Sequence, residues 1–177
     1  IDSSGRGRPG SPINGTASSP NARVGFRSGS FEGVDDYVEL SQFSELAGQA
    51  FSVGLWFNSR QDTPAGLIST YDPAGSYFSL ELNSDGTLAA TGQVAFVVND
   101  GVSGVRSAVS PLANLNNGAW HHVVGVRGQG YIHLYVDGAR VASTRIGAAY
   151  GTLTPAAPRV GRMGTSTNGN FAGFVDE

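Results

Sequence analysis

Fourteen acidic side chains, eleven arginines and three histidines carry whatever chemistry this 177-residue chain performs, since it has neither cysteine nor lysine. Glycoside cleavage needs two carboxylates about 5–9.5 Å apart across the scissile bond. On a strand that means acids at i and i+2, about 6.6 Å apart on one face. No such run occurs. Asp35 and Glu39 are four steps apart, about 13 Å in a regular strand. Asp176 and Glu177 are neighbours and point to opposite faces. His121 and His122 are also adjacent, so a strand cannot turn both toward one ion; one is expected under the sheet and the other in solvent. His133 reads as a lone structural histidine. No Gly-x-Ser-x-Gly elbow is present, and a phosphate-binding P-loop lacks its lysine.

The remaining candidates bind rather than react. Tyr71, Tyr77 and Tyr150 sit beside glycine- or proline-containing turns. Flat rings at turns are natural platforms for the apolar faces of sugars. Trp56 lies mid-strand and covers a second core layer or lines a concave face; Trp120 begins a buried-looking strand. Asn14-Gly15-Thr16 fits a glycosylation acceptor. A net charge of −3 with scattered arginines leaves no basic stripe for a nucleic-acid backbone. No run approaches the roughly 18 apolar residues of a membrane helix.

Short strands position these residues. Glycine is abundant (26 residues, with 8 prolines), while 40% hydrophobic content is too high for disorder. Residues 1–30 are rich in Ser, Gly, Pro and Asn and read as an irregular lead-in, with one short strand near Val24–Arg27. Phe51, Val53, Leu55 and Phe57 then alternate with Ser52, Gly54, Trp56 and Asn58, the period of a half-buried strand. A short run at Tyr37–Leu40 precedes it, and similar runs follow at Gly66–Tyr71, Tyr77–Asn83, Val94–Asn99, Val105–Val109, Ala119–Arg127, Tyr131–Asp137, Ala139–Thr144, Arg159–Met163 and Phe171–Glu177. Asp85-Gly86 and Asp137-Gly138 mark hairpins. Only Ser41–Gln49 has a helical look. About twelve short strands predict an all-β, two-sheet antiparallel sandwich. Its core is expected to hold Phe51, Val53, Leu55, Phe57, Val124, Val126, Ile132, Leu134 and Val136.

Four segments in succession carry a family resemblance: FEGVDDYVEL, FSVGLWFNS, WHHVVGVRGQGYIHLYVDGARVAS and VGRMGTSTNGNFAGFVDE. Together they resemble the laminin-G-like, concanavalin A-like jelly roll over roughly residues 2–177, and most of all its bacterial accessory-domain branch. The resemblance implies one jelly-roll domain over 1–177, a piece of a longer chain with its terminal strands incomplete. It implies a non-catalytic carbohydrate-binding or adhesion module of a secreted or cell-surface protein, bound to a glycan or to a surface protein. The alternative is an assembly subunit that makes protein contacts through sheet edges; a glycoside hydrolase is a third reading, disfavoured by the missing acid pair. One structural calcium ion is a further implication, since such sandwiches often hold this oxygen-seeking cation at a rim. Its motif-matched ligands would be Asp2, Asp35, Asp36 and Asp176. Asp35 and Asp36 equally suit a turn cap, bonded to backbone amides.

Overall fold

The computed structural model describes residues 9–41, 50–70, 75–84, 89–153, 156–163 and 169–177. Within them the chain forms fourteen strands and no helix. In order these are β1 (Ser11–Ile13), β2 (Ala17–Ser19), β3 (Ser28–Glu32), β4 (Tyr37–Glu39), β5 (Phe51–Asn58), β6 (Ala65–Ser69) and β7 (Tyr77–Leu82). There follow β8 (Val94–Asn99), β9 (Val105–Val109), β10 (Trp120–Gly128), β11 (Tyr131–Val136), β12 (Ala139–Arg145), β13 (Arg159–Val160) and β14 (Ala172–Asp176). The first sheet runs β1-β4-β13-β6-β7-β8-β9 and the second β12-β11-β10-β5-β14-β3-β2. All the pairings are antiparallel.

Two strands more than expected come from the lead-in. β1 and β2 flank a turn in which Asn14 and Gly15 both have positive φ. They do not pair with each other. β1 joins β4 in the first sheet, more than twenty residues on, and β2 joins the next strand, β3, in the second. Thr16 secures the crossing by donating to Tyr37 O at 3.0 Å. The strand expected at Val24–Arg27 is a turn instead. Asp176 Oδ2 accepts the amides of Arg23 (2.8 Å) and Val24 (2.7 Å), which takes those donors away from any ladder. The helical reading of Ser41–Gln49 falls on residues 42–49, outside the described set.

The inner faces of the sheets enclose Phe57, Leu67, Phe78, Leu80, Leu82, Phe96, Ile132, Leu134, Leu153 and Phe171, all buried. Phe51 and Val53 are half-buried against this core, and Leu55 and Val136 lie within it. Val124 and Val126 do not. On β10 it is Val123, Gly125 and Arg127 that point inward, so the expected phase of this strand is corrected by one residue. Leu134→Ala would empty a fully buried site and should cost about 2–5 kcal/mol, read as a lower urea midpoint at unchanged slope.

The two outer faces differ. On the first sheet Tyr77, Ser79, Glu81, Ala95 and Val97 face away from the core yet are buried. Glu81 accepts hydrogen bonds from Ser79 Oγ and Ser84 Oγ. The outer face of the second sheet is open.

Candidate functional site

That open face is lined with rings because outward positions on neighbouring strands fall in register. His122 of β10 lies opposite Trp56 of β5, and Trp120 opposite Asn58, which in turn faces Phe174 of β14. Period-two alternation sends all of these to the solvent side. Trp56 and His122 sit with centroids 4.9 Å apart, and Trp120 and Phe174 6.4 Å apart across Asn58. Further along, Tyr131 and His133 of β11 stack at 5.8 Å with ring planes within 7°. Tyr135 stands between the groups, opposite Val124, which on its other side pairs with Gly54. All these rings are half-buried except Tyr131, which is exposed.

At the Tyr131 end the face dips into a hollow of about 500 Å³ bordered by Ser52, Val126, Gly128, Gln129 and His133. His133 borders it, with its Nδ1 buried and without a hydrogen-bond partner. Between the hollow and Trp56, Gly54 brings no side chain, and Val124 Cγ2 comes within 2.9 Å of where its Cβ would stand. At the other end the 20–27 loop bends over the sheet, anchored by Asp176. It lays the Arg23 guanidinium 4.8 Å from the Trp56 ring centre, a cation–π contact. It also leaves Phe26 93% exposed.

The turn tyrosines have other work. Tyr150 is buried, its ring 5.2 Å from the Arg127 guanidinium carbon. Its hydroxyl lies 2.9 Å from Val98 O and 2.8 Å from Gly104 O and accepts the Asp100 amide at 3.2 Å. Burial, aided by the Asp100 charge, pushes its pKa up to about 12. Arg127 gives Nη2 to the carbonyls of Tyr150 and Gly151, while Nε and Nη1 are buried without partners. Burial also lowers the Arg127 pKa, against the opposing pull of Tyr150 and Asp100. Tyr77 is packed with Ala89, Ala95 and Val97. Neither ring offers an open face to a sugar, a correction to the turn-platform expectation. Tyr71 lies outside the described residues.

The calcium candidates are not gathered either. Asp36 is buried and accepts the amides of Glu32 (2.9 Å) and Gly33 (3.3 Å), the turn-cap role. Asp35 is exposed beside it. Ala172 pairs with Glu32 and Val175 with Gly29, so Asp176 and the Asp35–Asp36 turn occupy opposite ends of the β3–β14 pair. That separation is about 13 Å along the strand, too far for one ion to touch both at Ca–O distances of about 2.4 Å. Asp2 lies outside the described residues. Among the described residues no group of three or more His, Asp or Glu is placed to share a metal. His121 turns inward beside Phe57 (5.9 Å), its Nδ1 2.9 Å from Asp137 Oδ2 and its Nε2 3.3 Å from Asn117 Oδ1. The opposite orientations expected of the two histidines are thus observed.

Comparison with known proteins connects this architecture to a family. The model for the concanavalin A-like lectin/glucanases superfamily, of laminin G type, matches residues 32–177. The chain belongs to this superfamily. Domains LG4–5 of the mouse laminin α1 chain superpose with TM-score 0.64 at 21% identity, covering 84% of this chain and 39% of that one. Domain 4 of AbnA, a GH43 extracellular arabinanase from Geobacillus stearothermophilus, seen with arabinotriose, gives TM-score 0.73 at 17% identity over 95% and 79%. The binding domain of botulinum neurotoxin DC in complex with SialylT gives 0.70 at 13% over 90% and 40%. The chain spans less than two thirds of the laminin and neurotoxin chains, and at these identities the likeness is one of fold. No curated protein matches in sequence. Among the described residues, no helix is long and apolar enough to cross a membrane.

For this laminin G-type domain, the sequence points first to rings at turns, and of the strand-face rings it raises only Trp56, as one that covers a second core layer or lines a concave face. Trp56, Trp120 and His122 share one parity on adjacent strands, a signal that becomes legible only once β5 and β10 are known to pair.

Proposed function

We propose that this domain is a non-catalytic carbohydrate-binding module of a secreted or cell-surface protein, and that it binds through the outer face of its second sheet. The observation that carries the reading is the ring-lined open face running from Trp120 and Phe174 past Trp56 and His122 to the hollow beside His133 and Tyr131. Rings stack on the C–H faces of pyranoses, while Asn58, Ser52, Gln129 and His133 supply hydrogen-bonding groups for hydroxyls. The arabinotriose complex of the arabinanase domain and the SialylT complex of the neurotoxin domain support a sugar ligand on this fold.

A glycan array read with calcium and with chelator tests the proposal. One or more glycans should bind. Tyr131→Ala, which removes the exposed ring of this face, should weaken that binding about tenfold, the equivalent of about 1.4 kcal/mol, within the worth of one stacked ring. A chelator effect removed by Asp176→Ala would restore the calcium expectation for that residue with Asp2. Absence of any glycan binding, together with self-association in sedimentation, would replace this reading with the assembly subunit.

A further inference from the structure

The charges around the ring-lined face narrow the ligand, given the carbohydrate reading. The chain as a whole is acidic, with 14 Asp and Glu against 11 Arg. The outer face of β5, β10, β11 and β12 reverses that balance. None of the outward positions on these four strands carries a carboxylate; the one on the adjoining β14, Asp176, lies opposite Trp56. On β12, Arg145 lies directly opposite Tyr131 and Arg140 directly opposite Tyr135, so two arginines stand on the strand that borders the ring track. Both are exposed, and neither has an ion-pair partner among the described residues. On the other margin Arg23 covers Trp56, with Arg27 exposed in the same loop.

The nearby acids are engaged or remote. Asp137, in the β11–β12 turn, accepts from the His122 amide at 2.8 Å and lies against His121. Asp176 is held by the loop amides. Glu32 stands beyond β14, on β3.

We infer that the face binds a uronic-acid polysaccharide, its sugar rings stacked on the aromatic track and its carboxylates paired with Arg140 and Arg145. Guanidinium presents a planar fork of donors that matches a carboxylate in two parallel bonds. A carboxylate in place of a sugar's hydroxymethyl group leaves both ring faces free to stack.

The test uses the full chain and three polymers: polygalacturonate, the same polymer with its carboxyl groups reduced to alcohols, and dextran sulfate. Titration calorimetry at low and high NaCl should show polygalacturonate bound at least tenfold more tightly than its reduced form, with the advantage fading in salt. Arg140→Ala combined with Arg145→Ala should remove about tenfold of affinity for the acidic polymer, as expected for two exposed charge-assisted contacts. The same pair should leave any binding of the reduced polymer unchanged. Both changes are on exposed side chains, and an unaltered melting temperature shows that the fold is intact. Equal affinity for acidic and reduced polymers overturns this inference and leaves the carbohydrate reading standing. Preference for dextran sulfate over polygalacturonate also overturns it. If a broad array of neutral and acidic glycans gives no binding at all, both fall.

Discussion

Gly173→Ala is expected to be among the most damaging single changes in the domain. A Cβ at this position would stand 2.2 Å from the backbone oxygen of Asn58 and 3.0 Å from Phe171 Cζ, and the residue has φ near +145°. Asn58 O belongs to β5, which pairs with β14 through the very next residue, Phe174. The carbonyl cannot swing aside without loosening that pairing. Backbone strain of about 1–3 kcal/mol and overpacking of about 1–3 kcal/mol together give roughly 2–6 kcal/mol, a large part of the 5–15 kcal/mol that holds a typical domain folded. Gly138→Ala is the control. It also has positive φ, yet nothing lies within 4 Å of its Cβ position, so only about 1 kcal/mol is expected. Guanidinium denaturation of the two variants should separate them clearly. A Gly173→Ala protein as stable as Gly138→Ala would mean that β14 does not approach β5 as described.

Asp100→Ala should cost about 2–4 kcal/mol, because one carboxylate organises the rim where β8, β9 and the segment after β12 meet. Oδ1 accepts the amides of Val102 (3.0 Å) and Ser103 (2.6 Å), and Oδ2 accepts Ser103 Oγ and the Gly151 amide, both at 2.8 Å. Truncation orphans three amides at once, each worth about 1–3 kcal/mol when fully buried and less in a partly buried loop. Burial by itself raises this carboxyl's pKa, but the bonds from Gly151, Ser103 and Val102 together outweigh it and hold the value at about 2, below the ordinary 3.8. A depressed folded-state pKa stabilises the fold above the unfolded value, and that contribution disappears as pH falls through the folded one. Wild-type stability should therefore drop between about pH 4 and pH 2, with the Asp100→Ala variant showing a shallower acid limb there. Urea midpoints at pH 7, 4 and 2.5 check this. Parallel pH profiles for the two proteins would refute the role given to Asp100.

Where a strand's own alternation decides burial, the amino-acid sequence was a sufficient guide. Val94–Asn99 and Val105–Val109 are the observed bounds of β8 and β9. The inward sets on β5 and β11, Leu55 and Phe57, Ile132, Leu134 and Val136, also follow from a period of two. β10 resisted because its apolar residues occur on both parities. Val123 and Val124 are equally hydrophobic, and the inward parity carries Arg127, a residue no hydropathy pattern would bury. Arg127 is tolerated inside because Tyr150 and Gly151, from a loop more than twenty residues away, meet its guanidinium. β1 and β2 were missed for a related reason. Three-residue strands have no period to detect, and β1 meets its partner β4 only after the chain has passed through the other sheet.

Local chemistry, then, set the strands, the turns and the absence of a closely spaced acid pair, because each depends on residues a few positions apart. The location of the candidate site was decided in three dimensions. Turn tyrosines looked open because a turn is usually at the surface, yet Tyr150 is buried by the packing of β8, the β8–β9 loop and Arg127 around it. Trp120 looked like core because large rings usually are, and Trp56 was open between a second core layer and a concave face. Pairing β10 and β14 to either side of β5 placed them together on the solvent side. The arginines of β12 gained a meaning only from the register that sets them opposite Tyr131 and Tyr135. A bulge between Leu134 and Tyr135 fixes that register, and only the folded sheet reveals it.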